Sequence, residues 1–253
     1  MPPARNTSAR WRAKASSRRR ASASARQASI IARASCNSAS IQVLRSFWSG
    51  VGIGVNHKPV PNAALTTVFL DRDGVINRRL PGDYVTSWDE FEFLPGAVEA
   101  IALLRGAGLF LVIVTNQRGI ALGRATRAGV DAVHERMRAE LRAAGADVDA
   151  VYLCPDADGP MRKPAPGMLL QAAQEHPRVD LSRSAIVGDS LTDLMAGAAV
   201  GARGVLVVDP ASRPGLLEEA ARLGVRVDSD APSLLEAVRG DPALRAACKP
   251  DRS

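Results

Sequence analysis

Two carboxylates separated by one residue are the clearest chemical signal in the chain. Asp71 and Asp73 directly follow the apolar run from Thr67 to Leu70, which has the length and composition of a buried strand. The carboxyl ends of strands in an open parallel sheet form its binding crevice. An aspartate there can attack phosphorus if a cation screens it from the charge of the phosphate. The string therefore predicts phosphoryl-transfer chemistry, although Asp-x-Asp-Gly alone is a weak signal.

Three further segments supply the other groups that such a reaction needs. Each follows a short apolar run, and their polar residues are Thr115, Asn116 and Gln117; Arg162 and Lys163; and Asp189 with Asp193. Hydroxyl and amide groups can hydrogen-bond phosphate oxygens. A lysine can stabilise the phosphoryl charge, and an arginine can clamp a second anionic group through two hydrogen bonds.

Each segment also has a purely structural explanation. Thr115 and Asn116 could cap a helix. Arg162 and Lys163 could lie in a solvated loop, and Asp189 could be the N-cap of the helix that follows it. Taken singly, the structural explanation is the better one. For all the segments together, a structural explanation would require three acids, a hydroxyl and a cation to meet at one sheet edge by accident. We therefore favour the catalytic interpretation.

The elements that must position these groups alternate between short apolar runs and amphipathic stretches. The runs predict five strands, at residues 67–70, 109–114, 150–153, 185–187 and 204–208. The clearest helix follows Thr126, a suitable N-cap, and ends at Gly145. Its apolar stripe consists of Val130, Val133, Met137 and Leu141. Strands joined by helical crossovers predict an α/β fold, a doubly wound, Rossmann-like parallel five-stranded sheet flanked by helices.

The stretch between Asp73 and Pro95 reads as a loop, too short to form a large cap domain. Phe91 and Phe93 are expected to pack on the core. Tyr84 could face the pocket or turn away from it, and neither orientation is favoured.

The basic charge of the chain is confined to its N-terminal region. The net charge is +7, yet residues 1–60 carry nine Arg, two Lys and no acidic residue, which leaves 22 basic and 26 acidic side chains in the remainder. We expect a disordered basic tail at 1–60, one domain at 64–240 and a flexible C-terminus at 241–253. A mildly acidic domain argues against a nucleic-acid partner, which needs a basic face, and no apolar stretch has the length of a membrane span.

The tail has no uninterrupted apolar segment, which disfavours a secretory signal. Its Arg- and Ser-rich composition fits a transit peptide, and a start codon assigned too far upstream explains it equally well. Three cysteines give no disulfide framework and favour a reducing compartment. We expect a cytoplasmic protein, or a plastid or mitochondrial one if the tail is a transit peptide.

The four segments together resemble the haloacid dehalogenase superfamily of phosphatases that use an aspartate nucleophile. The matching strings are Phe-Leu-Asp-Arg-Asp-Gly-Val-Ile-Asn from Phe69, Val-Thr-Asn-Gln-Arg-Gly-Ile from Val114 and Arg-Lys-Pro-Ala-Pro-Gly-Met from Arg162, and Asp189 completes them. Within the superfamily they look like the branch of D,D-heptose 1,7-bisphosphate phosphatases and histidinol-phosphatases. The resemblance implies a Mg²⁺-dependent phosphomonoesterase.

It also implies catalytic roles. Asp71 would attack phosphorus and become an aspartyl-phosphate. Asp73 would protonate the leaving oxygen and then take a proton from the attacking water, which requires a raised pKa. Thr115 and Lys163 would hold the transferring oxygens.

The resemblance further implies where metal and substrate bind. The Mg²⁺ ligands would be Asp71, Asp189 and the main-chain carbonyl of Asp73, with Asp193 behind them. Arg162 would contact a distal group of the substrate. The full set of substrate-binding candidates is Asn116, Gln117, Arg162 and Tyr84.

The chain departs from this branch in one loop. Members often carry a zinc site made of a Cys-x-His pair and a later Cys-x-Cys pair. Here the stretch from Cys154 to Met161 keeps one cysteine, has Asp156 at the histidine position and lacks the second pair. A lone thiol cannot build a closed tetrahedral site, so we expect no zinc.

The three histidines are assigned structural roles. His134 is placed on a polar helix face with Glu135 and Arg138, His176 near a helix C-terminus and His57 in the linker that precedes the domain.

The leading expectation is a monomeric phosphatase whose partner is a small phosphorylated metabolite, with heptose 1,7-bisphosphate as first candidate and histidinol phosphate as second. A nucleic-acid 3′-phosphatase or nucleic-acid binder is the alternative of a different class. A catalytically idle sugar-phosphate binding module is the third, and retention of every acid and of the lysine argues against it.

Overall fold

The computed structural model describes residues 64–248 and contains a parallel six-stranded sheet. In chain order its strands are β1 (Thr67–Leu70), β2 (Phe110–Asn116), β3 (Ala150–Cys154), β4 (Ser184–Gly188), β5 (Arg203–Val207) and β6 (Ser229–Ala231). They pair in the order β3-β2-β1-β4-β5-β6, and every pairing is parallel. The doubly wound α/β fold is therefore confirmed. These elements belong to one compact unit, of which residues 64–157 and 161–248 are described.

The prediction of five strands is wrong by one, because β6 is present at the sheet edge. Its residues, Ser229-Asp230-Ala231, contain no apolar or β-branched run, and only Ala231 is buried. An edge strand has a paired neighbour along one edge only, and proteins commonly make such strands short and polar. The signal used to find the other strands is therefore missing here.

The strand order reverses at β1, in the centre of the sheet. β1 lies between β2 and β4, and the chain winds away from it in both directions. All residues of β1 and β4 are buried, as expected for parallel strands covered on both faces. Leu70 pairs with Val187, so the residues that follow these two strands emerge side by side. Asp71 and Asp189 are brought together in this way, at the position where open α/β sheets bind ligands.

Seven helices connect the strands or follow them within the described residues. They are α1 (Ala97–Gly106), α2 (Arg127–Ala143), α3 (Gly167–Glu175), α4 (Leu191–Ala198), α5 (Arg213–Leu223), α6 (Leu234–Gly240) and α7 (Pro242–Ala247). None of them has the length and hydropathy needed to cross a bilayer.

α2 is the helix predicted to follow Thr126, and the structure confirms its start and its buried stripe. The Thr126 hydroxyl accepts a hydrogen bond from the Gly129 N–H at 3.0 Å, which satisfies one of the free donors of the first turn. The predicted apolar stripe is buried. The placement of His134 on a polar face is wrong, because His134 is buried on the same side as the stripe.

The end of the domain also differs from the prediction. Residues 242–247 form α7, where a flexible C-terminus from residue 241 was expected. Asp241 caps this helix by accepting hydrogen bonds from the N–H groups of Ala243 and Leu244, and Leu244 is fully buried. The predicted tail, residues 1–60, and the last five residues lie outside the described residues.

The connection from β1 to α1 contains a single 3-10 turn, Trp88–Glu90, so no large cap domain is inserted here. Phe91 and Phe93 pack against the main core as predicted, with ring centroids 4.9 Å apart, and Trp88 stacks on Phe91 at 4.8 Å. This aromatic cluster anchors the loop that forms one wall of the site.

Candidate active site

Asp71 stands at the centre of the site, directly after β1. Its backbone N–H donates to the carbonyl of Val187 at 2.9 Å, which continues the pairing of β1 with β4 by one residue. Its side chain is only 7% exposed, and the ammonium of Lys163 lies 2.8 Å from its Oδ1. Burial raises the pKa of Asp71, and Lys163 acts in the opposite direction. One carboxylate is thus held at the sheet edge by a single direct cation.

Lys163 is nearly as buried, with 2% of its side chain exposed. Its Nζ donates to the carbonyl of Val114 at 2.6 Å and lies 2.5 Å from Oδ1 of Asp193. Burial alone would lower the pKa of Lys163, but the attraction of Asp193 and Asp71 outweighs it and raises the pKa. The lysine is therefore a fixed positive charge between two carboxylates.

Asn116 holds the backbone of this lysine. Its amide oxygen accepts from the Lys163 N–H at 3.0 Å, and its Nδ2 donates to the Lys163 carbonyl at 3.0 Å. Asn116 borders the cleft, as predicted. Both ends of its amide are nevertheless occupied, so its contacts in this structure position Lys163 and do not reach toward a substrate.

Asp189 approaches Asp71 at the end of β4. Burial, followed by the negative charge of Asp71, raises the pKa of Asp189 to about 8. This close approach requires a glycine in the first motif, because a Cβ on Gly74 would lie 2.0 Å from Oδ2 of Asp189. Gly74 also adopts φ +94°, which side chains rarely tolerate. The Asp-Arg-Asp-Gly string thus makes room for the acid of another strand.

Three carboxylates form a group that can hold a metal ion. One oxygen each from Asp71, Asp189 and Asp193 lies within 4.8 Å of the others. An all-oxygen, anionic donor set suits a hard cation such as Mg²⁺, so the residues fit the ion that was predicted. Asp193 differs from the other two, because its Oδ2 accepts from the N–H and hydroxyl of Ser190 at 3.1 and 2.6 Å. Asp193 therefore supports the loop and Lys163, in keeping with a place behind the ligands.

Asp73, the predicted acid/base, is surrounded by hydrogen-bond donors. Nη2 of Arg72 lies 2.9 and 3.0 Å from its two oxygens, Asn77 donates to Oδ1 at 2.9 Å and Gln117 donates to Oδ2 at 2.8 Å. Burial alone would raise the pKa of Asp73, but the charge of Arg72 and these hydrogen bonds outweigh it and lower the pKa. The raised pKa that the acid role requires is thus not found for Asp73.

The assignment of Gln117 to substrate binding is not supported by its position. Gln117 is buried, and its Nε2 donates both to Asp73 and to the hydroxyl of Thr115, each at 2.8 Å. Its side chain is therefore committed to two catalytic candidates. Thr115 itself borders the cleft and keeps its hydroxyl proton available for a phosphate oxygen.

The cleft above these groups has a volume of about 410 Å³, within the range of small-molecule sites. Its walls include Asp71, Asp73, Thr115, Lys163, Arg162 and Tyr84 from the predicted set. The Tyr84 ring lies 5.5 Å from the guanidinium of Arg124, and a Cβ on Gly119 would clash with it. Of the two orientations considered for Tyr84, the structure shows the one facing the pocket.

Arg79 borders the same cleft and was not predicted. Its Nη2 lies 2.7 Å from Oδ1 of Asp189 and 3.4 Å from the carbonyl of Asp73, two of the expected metal ligands. Arg79 lies in a loop without periodicity, so no pattern marked it. Arg72 and Asn77 were also missed, although both belong to the first motif.

The comparisons with known proteins agree with this geometry. Residues 160–237 match the family model described as HAD-hydrolase-like. The D-glycero-alpha-D-manno-heptose-1,7-bisphosphate 7-phosphatase of Mycobacterium bovis is 39% identical over 158 residues, which are 60% of this chain and 83% of that relative. This chain belongs to the HAD-hydrolase-like family.

A curated relative and a solved structure, both from Bordetella bronchiseptica, strengthen the assignment. The D-glycero-beta-D-manno-heptose-1,7-bisphosphate 7-phosphatase of Bordetella bronchiseptica is 40% identical over 172 residues, covering 67% of this chain and 95% of the relative. The crystal structure of D,D-heptose 1,7-bisphosphate phosphatase from B. bronchiseptica, complexed with magnesium and phosphate, has a TM-score of 0.60 at 36% identity. That match covers 68% of this chain and 94% of the other. This HAD-hydrolase-like chain is a phosphatase.

Proposed function

We propose that this phosphatase removes the 7-phosphate of D-glycero-D-manno-heptose 1,7-bisphosphate with Mg²⁺, through an aspartyl-phosphate on Asp71. The observation that carries the proposal is the buried carboxylate of Asp71, held 2.8 Å from the Lys163 ammonium at the switch point of the sheet. The names of the related proteins support the choice of sugar.

In the first step an Asp71 oxygen attacks phosphorus and the bond from phosphorus to the sugar oxygen breaks. Asp73 gives its proton to the departing oxygen, so the sugar leaves as a neutral alcohol. Lys163 and the Thr115 hydroxyl stabilise the charge on the transferring oxygens. Because Asp73 is ionised in the free molecule, the proton must be acquired as the negatively charged substrate approaches and raises its pKa.

In the second step water attacks the phosphorus of the aspartyl-phosphate. Asp73 takes a proton from that water, the bond between phosphorus and Asp71 breaks, and inorganic phosphate leaves. The donors that surround Asp73 favour its ionised form, which is the form that accepts this proton. The surroundings of Asp73 thus suit the second step better than the first.

The carboxylates of Asp71 and Asp189 and the carbonyl of Asp73 would hold the metal ion. When bound, Mg²⁺ would screen the negative charge of Asp71 from that of the phosphate and withdraw charge from a phosphoryl oxygen. Arg79 contacts two of these oxygens, the Asp73 carbonyl and Oδ1 of Asp189.

The cleft supports a substrate with a second anionic group. Arg162 and Arg79 border it, and neither is needed to hold the phosphate under attack. A guanidinium can clamp a distal phosphate through two hydrogen bonds, and Tyr84 offers a flat surface for a sugar ring. This arrangement favours a bisphosphate over a phosphorylated amino alcohol.

The test is a phosphate-release screen with Mg²⁺ over both anomers of the heptose bisphosphate, histidinol phosphate, other sugar phosphates and nucleoside 3′-phosphates. We expect one heptose anomer to have the highest kcat/KM, and the Asp71→Asn variant to release no phosphate above background. A preference for histidinol phosphate or for a nucleotide would show that the heptose bisphosphate is not the substrate. Normal activity of Asp71→Asn would reject the mechanism.

A further inference from the structure

A fully buried arginine lies behind the acid/base candidate. The side chain of Arg72 has no exposed surface, although it carries a permanent charge. Such burial is costly unless the charge is paired and hydrogen-bonded. Two nitrogens on one side of its guanidinium, Nε and Nη2, face the Asp73 carboxylate. The third, Nη1, lies 3.0 Å from Nε2 of His134.

His134 comes to this position from α2, 62 residues further along the chain. Guanidinium nitrogens only donate, so Nε2 must accept the hydrogen bond, and the proton of the neutral ring resides on Nδ1. Burial, followed by the charge of Arg72, lowers the pKa of His134 to about 3. The ring is therefore a neutral acceptor near pH 7. A histidine on α2 is used as a fixed hydrogen-bond acceptor for a residue of the first motif.

Arg72 needs this external contact because its pairing with Asp73 is unusual. The two residues are adjacent, so the arginine side chain must fold back to place its guanidinium against the next carboxylate. Without His134, the Nη1 group would face the protein interior with a donor unpaired, which costs about 1–3 kcal/mol and favours a different side-chain rotamer.

We propose that His134 is a positioning residue for catalysis, which fixes the guanidinium of Arg72 and, through it, the direction in which the Asp73 carboxyl group faces the leaving oxygen. The inference rests on the acid/base role proposed above for Asp73. Asn77 and Gln117 hold the two oxygens of Asp73 individually. Among residues 64–248, only Arg72 hydrogen-bonds both oxygens at once, and it therefore sets the plane of the carboxyl group.

A purely structural contact between α2 and the first motif is the competing explanation. The two explanations differ in how the effect depends on the leaving group. A sugar hydroxyl is a poor leaving group and needs the proton of Asp73, whereas p-nitrophenolate leaves without one. The kcat/KM value reports only the steps up to release of the alcohol, so it isolates the proton donation from the later attack of water.

The experiment compares His134→Gln with His134→Asn in the full-length, Mg²⁺-loaded protein. Glutamine extends far enough to present an acceptor where Nε2 lies, and asparagine does not. For Asn, we expect kcat/KM on heptose 1,7-bisphosphate to fall about 30-fold, a partial loss of the roughly 10²–10⁴-fold that general acid catalysis contributes. On p-nitrophenyl phosphate, kcat/KM should fall no more than about 3-fold. Gln is expected to restore the heptose value to within about 5-fold of the original.

Val130→Ala is the matched control, because Val130 is fully buried on the same helix and its apolar side chain makes no hydrogen bond. It should loosen α2 and change both substrates by a similar small factor. Equal losses on both substrates in the Asn variant, no loss on either, or no difference between Gln and Asn would each overturn the proposal.

The two proposals fail in different ways. If the unaltered protein does not act on the heptose bisphosphate, the proposed substrate is wrong. Phenyl phosphate, whose leaving group is poorer than p-nitrophenolate, then replaces the heptose bisphosphate in the comparison with p-nitrophenyl phosphate. The positioning role of His134 can still be tested in this way.

Discussion

Two buried groups of charges, at opposite edges of the sheet, are organised in opposite ways. At the carboxyl edge, oxygens of Asp71, Asp189 and Asp193 lie within 4.8 Å of one another, and the Lys163 ammonium pairs with Asp71 and Asp193. At the amino edge, where β5 begins, Arg203 donates twice to Asp241, at 2.8 and 2.7 Å.

Both carboxylate oxygens of Asp241, at the amino edge, accept hydrogen bonds. Oδ2 of Asp241 also accepts from the Ser229 hydroxyl at 2.6 Å, and Oδ1 caps α7. Burial alone would raise the pKa of Asp241, but the hydrogen bonds from Arg203 and Ser229 outweigh it and lower the pKa. In the carboxyl-edge group the same burial raises the pKa of Asp71 and Asp189. The charges of the amino edge stabilise the fold, whereas the carboxyl edge holds carboxylates whose raised pKa values show that their negative charge is not fully compensated until a cation binds.

The largest expected effect comes from removing the cation of the carboxyl edge. Lys163→Met leaves Asp71 and Asp193 buried without their partner, which should cost about 3–5 kcal/mol of unfolding free energy and at least about 10²-fold in kcat. Urea unfolding and steady-state kinetics measure both. The neighbouring Arg162→Met is the control, with an expected loss of stability of about 0.5 kcal/mol or less and an effect on KM. Equal stability of the two variants would contradict the comparison.

The amino edge is expected to affect stability alone. Asp241→Asn keeps the shape but loses the charge, and should lower the unfolding free energy by about 2 kcal/mol at pH 7, with kcat/KM unchanged. The exposed Asp131→Asn, which breaks a surface pair with Arg127, should cost about 0.5 kcal/mol or less.

The stability contributed by the Asp241 carboxylate should depend on pH. The pKa of Asp241 is lowered from 3.8 by folding, so its contribution is complete above pH 3.8 and is lost as the pH falls through the folded value. The difference in unfolding free energy between the original protein and Asp241→Asn should therefore shrink on acidification below pH 3.8. A constant difference would show that the charge of Asp241 is not involved.

The smallest effect has the opposite sign. The pKa of Asp189 is raised from 3.8 to about 8, so its ionisation opposes folding increasingly as the pH rises through that interval. In the presence of EDTA at pH 8, Asp189→Asn should raise the unfolding free energy by about 1 kcal/mol, since the lost pairing with the half-exposed Arg79 offsets part of the relief. Mg²⁺ should stabilise the original protein more than the variant. Destabilisation by Asp189→Asn in EDTA would contradict the account.

The carboxyl edge could be predicted because its residues follow apolar runs. Asp71, Thr115 and Asp189 each come at or just after the end of a central strand, Lys163 follows the outermost strand β3 by a short loop, and parallel strands end at the same edge. Side-chain direction at that edge could not be predicted. Gln117 turns inward to Asp73 and Thr115, and such partners depend on how the loops pack.

His134 and β6 show two different reasons for error. His134 follows Val130 by four residues and precedes Met137 by three, so helical spacing alone puts it on the buried stripe. Its polar side chain suggests an exposed position, but its helical spacing correctly indicates burial. β6 offers no such signal, because a three-residue edge strand leaves no pattern in the chain. Arg79 likewise lies in an irregular loop, where no sequence pattern indicates that it borders the cleft.

The most direct test of the account is to trap the intermediate on Asp71. The Mg²⁺-loaded protein is mixed with heptose 1,7-bisphosphate, quenched in acid within milliseconds, treated with borohydride and digested for mass spectrometry. An aspartyl-phosphate is reduced to homoserine, so we predict homoserine at position 71, dependent on substrate and absent without Mg²⁺. Rapid turnover with Asp71 unmodified, or modification at another carboxylate, would contradict the assignment of Asp71 as nucleophile.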